Sequence, residues 1–197
     1  MKIYSRWEYE AMIRFQKAKD AFFAPLAKTL SHHNVSPNAV SVLSGAVAGI
    51  SLVFSIGSEM PVVFVVGIWL HLFLDGLDGV LARAVSKEQG ITGLALDLLM
   101  DSVGIVTMGF YLSYFGIVSP HIAALFVCSY LTVNAISYVF AKTGREYTFV
   151  IRPRIFIIIA LTLDYAFLFS ATPVIVAIST VLLLFFVVTG LIVLLRR

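Results

Sequence analysis

Six stretches of this chain stay apolar for about 20 residues each, the length of α-helix that crosses a 30 Å hydrocarbon core. They fall at 39–58, 61–84, 91–117, 121–141, 150–170 and 173–195. In lipid a segment must satisfy its own backbone polar groups, which a helix does. The expected fold is therefore all-α: a polytopic membrane protein with six transmembrane helices. A soluble domain could not hide a chain that is 60% hydrophobic and only 13% charged, with a mean hydropathy of +0.98. The breaks between spans carry turn and breaker residues: Pro37, Ser58 to Pro61, Lys87 to Gly90, Ser119-Pro120, Thr143 to Glu146, and Ala171 to Pro173.

Residues 1–30 differ in kind. Lys2, Arg6, Arg14, Lys17, Lys19 and Lys28 are interleaved there with Trp7, Tyr9, Met12, Ile13, Phe15, Phe22 and Phe23. That mixture lacks the clean apolar core of a secretory signal and reads as an amphipathic helix on an anionic membrane surface. The expected organisation is thus a juxtamembrane segment, 1–30, and a six-helix membrane domain, 31–197. All 14 Lys and Arg lie in the N-terminal segment, the loops near 85–90 and 142–154 with their flanking helix ends, and the C-terminal Arg196-Arg197. The opposite loops, near 58–61, 117–120 and 171–173, hold none. The positive-inside rule then places both termini in the cytoplasm. The net charge of +3 is mild, and no nucleic-acid partner is expected. Cys128 stands alone, so no intrachain disulfide forms.

Against this background the carboxylates stand out. The chain has six Asp, and four of them, Asp75, Asp78, Asp97 and Asp101, fall within 27 residues of two apolar spans. Each ionised Asp near the middle of a membrane helix costs roughly 3 kcal/mol on insertion scales. On a helix, Asp75, Asp78, Gly79, Ala82 and Arg83 share one face of the second span. Gly90, Gly93, Asp97, Asp101 and Gly104 share one face of the third. A short loop joins these spans, which predicts antiparallel neighbours with opposed faces and four carboxylates around one cavity, one or two turns below the cytoplasmic surface. Four carboxylates that close cannot all stay ionised unaided. One arginine, Arg83, does not pair four of them, which argues against a purely structural set of ion pairs. Divalent cations with all-oxygen ligation, Mg²⁺ or Mn²⁺, fit better. Two such ions would polarise phosphoryl oxygens, and a nearby basic residue suggests a phosphorylated substrate.

The pattern D-x-x-D-G-x-x-A-R-x₉-G-x-x-x-D-x-x-x-D, formed by Asp75, Asp78, Gly79, Ala82, Arg83, Gly93, Asp97 and Asp101, resembles the signature of the CDP-alcohol phosphatidyltransferase family. The six-span layout and the preceding surface helix are similar too. The resemblance implies an enzyme of phospholipid biosynthesis that moves a phosphatidyl-type group from a CDP-linked lipid, such as CDP-diacylglycerol, to the hydroxyl of a small polar alcohol, releasing CMP. It implies two metal ions held by Asp75, Asp78 and Asp97, with Asp101 contacting the second metal and acting as general base. It implies a donor site lined by Gly79, Ala82, Arg83 and Gly93 with Asp78 nearby, and a homodimer. The family often has Thr-Pro-Asn at the start of the first span. Here Ser36-Pro37-Asn38 stands there, so Asn38 joins the donor site, while Ser36 and Pro37 also suit a plain helix start. Lys142, Arg145, Arg152 and Arg154 sit where the family receives its acceptor, which favours glycerol 3-phosphate or inositol phosphate; topology signalling is their other reading. His71, one turn before Asp75, supports the metal ligands or packs between helices. Asp164 stands alone in the outer half of the fifth span. Two rival functions also use intramembrane carboxylates: a membrane prenyltransferase with paired Asp motifs, and a cation or proton carrier. The first fits the spacing less well and six spans are short for it; the second leaves the Gly-x-x-Ala-Arg element unexplained.

Overall fold

The computed structural model describes residues 6–85, 91–143, 153–167 and 170–195. The described residues form seven helices and no strand: α1 (Arg6–His32), α2 (Pro37–Gly57), α3 (Pro61–Ala84), α4 (Ile91–Tyr114), α5 (Pro120–Lys142), α6 (Pro153–Phe167) and α7 (Thr172–Leu195). Five of them, α2, α3, α4, α5 and α7, are long and apolar enough to cross a membrane. The chain is a multi-pass membrane protein.

Starts and stops follow from local chemistry. Proline opens α2, α3, α5 and α6, where its missing N–H is not needed and its φ is already helical. The Ser36 hydroxyl caps α2 by accepting the Ala39 N–H at 3.1 Å. Three helices end in the same reversal, with one residue in the left-handed region: Asn34 (φ 55°) after α1, Glu59 (φ 54°) after α2 and Gly116 (φ 65°) after α4. Paired backbone bonds close each one, such as Val35 N–H to the Leu30 carbonyl and Asn34 N–H to the Ser31 carbonyl, both 3.0 Å. Asp164 is not isolated. Its two carboxylate oxygens accept the N–H groups of Ala171 and Thr172, each at 2.9 Å, and so cap the start of α7.

The sequence led us to expect α3 and α4 as simple neighbours. Instead the main packing runs in a closed circuit, α3 to α2 to α4 to α5 to α7 to α6 and back to α3. Contact between α3 and α4 is minor, because α2 packs closely on both. A stripe of small residues on α2, Ser41, Ser44, Gly45, Ala48, Ser51 and Ser55, is buried and lets the helices close up. A Cβ at Gly67 of α3 would stand 2.1 Å from the Ser51 Cβ. The core joins Phe64, Ile68, Ile105, Met108, Leu112, Phe126, Ile157 and Leu161. Tyr111 stacks on Phe64 at 4.3 Å, and its buried hydroxyl meets Tyr165 at 2.7 Å and the Pro61 carbonyl at 3.2 Å. α1 lies along α3 through Phe23 and Ala27 against Leu77, Val80 and Leu81. Exposed Val53, Phe54, Val66, Phe110, Val181 and Phe185 face outward, as a surface bathed in lipid would.

The stretch expected at 150–170 is helical over Pro153–Phe167, and residues 150–152 and 168–169 lie outside the described ones. Arg154, in the first turn of α6, reaches Asp75, nine residues before α3 ends. At about 1.5 Å per residue that separation exceeds one side chain's reach, so α6 starts below the end of α3.

The close approach of α2 and α3 gives a direct stability test. Gly67→Val should cost about 1–3 kcal/mol through overpacking. Gly49→Ala on α2, whose Cβ would meet nothing within 4 Å, should be neutral or stabilising by up to about 1 kcal/mol. Unfolding in mixed detergent micelles measures both; equal losses would contradict the packing described.

Candidate active site

Asp75 and Asp78 stand on one face of α3, and the first turns of α4 bring Asp97 to them. One carboxylate oxygen from each of the three lies within 4.8 Å of the others. Asp78 is buried, and its Oδ2 accepts the Ser41 hydroxyl of α2 at 2.6 Å. Its Oδ1 is also buried and has no hydrogen-bond partner. A buried carboxylate oxygen left without a donor, beside two further carboxylates, is a fit for a hard cation. The donor set is all oxygen, which suits Mg²⁺ or Mn²⁺ and not zinc.

Asp101, one turn beyond Asp97, is held differently. One oxygen, Oδ1, pairs with the Nη1 of Arg154, and the other accepts Asn134 Nδ2 from α5 at 3.3 Å. The second guanidinium nitrogen of Arg154, Nη2, donates to Asp75 Oδ2 at 2.7 Å. The Arg154 side chain is only 3% exposed. A residue expected to face the acceptor thus points into the carboxylates.

Arg83 was expected to offset one charge of the cluster. It leans over Gly79, where a Cβ would lie 3.7 Å from its Nη1, and pairs with Asp20 of α1 at 2.5 Å. Beside this pair a cavity of about 380 Å³ opens between α1 and α3, lined by Asp20, Ala24, Lys28, Ser31, Val80 and Arg83 among others. Ala82 is buried, Gly93 half-buried, and Asn38 exposed at the start of α2. Lys142 is exposed in the last turn of α5. Arg145 and Arg152 lie outside the described residues.

His71 is buried where α2, α3 and α4 meet. Its Nδ1 lies 2.7 Å from the Ser44 hydroxyl, which in turn donates to the His71 carbonyl at 2.9 Å. Its Nε2 faces Gly104, where a Cβ would stand 2.2 Å away. That is the geometry of a packing histidine, one turn beneath the carboxylates. The sequence reading missed Ser41, Asn134 and Asp20. Ser41 belongs to the small-residue stripe of α2, and Asn134 is the lone amide of an apolar span. Asp20 is the one Asp in a basic segment. Each carried a faint signal, a polar residue out of character with its surroundings.

The family model for CDP-alcohol phosphatidyltransferase matches residues 34–194 of the chain. The chain belongs to the CDP-alcohol phosphatidyltransferase family. No curated protein and no solved structure matches it. The match spans α2 to α7 and takes in all four carboxylates, Arg83 and Arg154. Membership makes the protein a phosphotransferase of phospholipid head-group chemistry, with a carboxylate cluster able to hold metal.

Ser41 offers a sharp test of the cluster, because it touches Asp78 and no other carboxylate. Residues that orient metal ligands commonly contribute 10- to 100-fold in affinity. Ser41→Ala should weaken Mn²⁺ binding, measured by titration of the purified protein, by about 10-fold. Unchanged affinity would remove Asp78 from the ligand set.

Proposed function

We propose that the protein transfers a phosphatidyl-type group from a CDP-linked lipid, such as CDP-diacylglycerol, to the hydroxyl of a small polar alcohol, releasing CMP. The observation that carries this reading is the convergence of Asp75, Asp78 and Asp97 beside Asp101, in a chain of this family. Asp75, Asp78 and Asp97 would hold two divalent ions, Mg²⁺ or Mn²⁺, with Asp101 beside the second. Bound there, the ions supply charge neutralisation for the phosphoryl oxygens and the departing phosphate. Asp101 takes the proton of the acceptor hydroxyl as that oxygen forms its bond to the lipid phosphorus and the bond to CMP breaks. Gly79, Ala82 and Gly93 leave room for the donor nucleotide, with Asp78 nearby, and Arg83 and Asn38 would bind it by charge and hydrogen bond. Lys142, Arg145 and Arg152 would receive the acceptor. Three cations are more than a neutral alcohol needs, which favours a phosphorylated one such as glycerol 3-phosphate or inositol phosphate.

We place both termini and the site in the cytoplasm, on the distribution of the 14 Lys and Arg. α6 is then the sixth span, which its buried Ile157, Ile158 and Leu161 support. α1 lies on the membrane surface. Its exposed Phe15, Phe22 and Leu26 fall at offsets 0, 7 and 11, a single helical stripe, with Arg14, Lys17 and Lys28 exposed elsewhere on the helix. A homodimer follows from family resemblance.

CMP release from CDP-diacylglycerol tests the reading. Turnover should vanish in EDTA and return with Mg²⁺ or Mn²⁺; full activity in chelator would contradict it. Asp101→Asn should lower kcat by about 10²- to 10⁴-fold while most CDP-lipid affinity survives, and near-normal turnover would take Asp101 out of the reaction. Arg145→Ala or Arg152→Ala should raise the acceptor KM well above any change in the CDP-lipid KM. Faster turnover of serine or unphosphorylated inositol than of glycerol 3-phosphate or inositol phosphate would show that these cations serve topology.

A further inference from the structure

Arg154 has the position of an acceptor ligand in the sequence and the environment of a structural cation in the fold. It is the only Lys or Arg buried among the described residues. Its two terminal nitrogens reach carboxylates on two different helices, Asp75 of α3 and Asp101 of α4. α6 is anchored for this purpose by Ile157, Ile158 and Leu161 in the core, and it packs against both α3 and α7. The other oxygen of Asp101 is held from α5 by Asn134, which also lies 3.4 Å from the Ser102 hydroxyl.

We propose that Arg154 is a positioning residue: its guanidinium ties Asp75 to Asp101 and, with Asn134, fixes the orientation of the Asp101 carboxylate, and it does not bind the acceptor. The proposal rests on the reaction proposed above, in which Asp101 receives a proton. A planar fork can span two carboxylates with separate nitrogens, whereas a lysine offers one point charge on a flexible stem. The Nε of Arg154 is buried without a hydrogen-bond partner, and with the side chain only 3% exposed that donor is closed to an incoming phosphate. The same guanidinium places a positive charge against Asp75, where it opposes the approach of a divalent cation.

The test separates charge from geometry in the purified full-length protein in detergent. Mn²⁺ binding is titrated by electron paramagnetic resonance without substrates, and kinetics are measured with CDP-diacylglycerol and glycerol 3-phosphate. Arg154→Lys keeps the charge and loses the fork. It should lower kcat about 100-fold, with acceptor KM within about threefold and Mn²⁺ affinity within about twofold of the parent. Arg154→Met loses both and should bind Mn²⁺ at least about threefold tighter, with a similar loss of kcat. Asn134→Ala removes no charge and keeps the fold testable if the Arg154 variants do not accumulate. It should lower kcat about tenfold and leave both KM values and Mn²⁺ affinity unchanged. An acceptor KM raised about tenfold or more in Arg154→Lys and Arg154→Met, with kcat and Mn²⁺ affinity unmoved, would overturn the proposal and return Arg154 to the acceptor site. Parental kcat in both Arg154→Lys and Asn134→Ala would also overturn it. If the parent protein releases no CMP, the reaction itself is wrong, and the Mn²⁺ titration of Arg154→Met still decides whether the guanidinium bears on the carboxylates.

Discussion

Four carboxylates inside an apolar helix bundle are the constraint on which this structure depends. At roughly 3 kcal/mol each on insertion scales, they are tolerable only where charge, hydrogen bonds and shielding from lipid are supplied together. The fold supplies all three from different helices. α6 delivers a guanidinium to Asp75 and Asp101, α2 a hydroxyl to Asp78, and α5 an amide to Asp101. The closed circuit of helices keeps these groups off the lipid face. Removing one partner of such a buried pair typically costs about 3–5 kcal/mol, so site and scaffold are stabilised by the same contacts. Asp78 Oδ1 is left over, buried without a hydrogen-bond partner, as a cation site would require.

The placement of these helices depends in turn on small side chains. The serine, glycine and alanine stripe of α2 brings it close to both α3 and α4, which meet each other at the carboxylates and, toward the other end, where Phe64 stacks on Tyr111. α2 therefore acts as the spacer that sets how far Asp97 lies from Asp75 and Asp78. α1 adds a constraint from outside the membrane circuit. Phe23 lies against Gly76, where a Cβ would meet the ring at 3.1 Å, and Asp20 holds Arg83. α1 is thus packed against the part of α3 that carries the motif, and the two helices together line the cavity beside Arg83.

Much of this was legible in the sequence. Apolar run length marked the spans, and prolines marked where helices begin, because both are local effects. The carboxylate spacing placed Asp75 with Asp78 and Asp97 with Asp101 on shared faces, since helical periodicity needs no tertiary information. What was not legible depended on which helices touch. Nothing local shows that α2 packs against both α3 and α4, or that Arg154 turns inward while Arg83 turns to Asp20. Asp164 looked isolated because its partners, Ala171 and Thr172, come from the start of the next helix. The expected span at 150–170 is helical over Pro153–Phe167 among the described residues, and its first turn carries Arg154 to the carboxylates.

The central claim is that Asp75, Asp78 and Asp97 form one metal site shared by two helices. Its most direct test is the location of manganese in crystals grown with Mn²⁺, by anomalous scattering at the manganese edge. The account predicts a peak enclosed by those three carboxylates, lost in Asp97→Asn. Manganese absent from that position, or bound instead at the Asp20 cavity between α1 and α3, would contradict it.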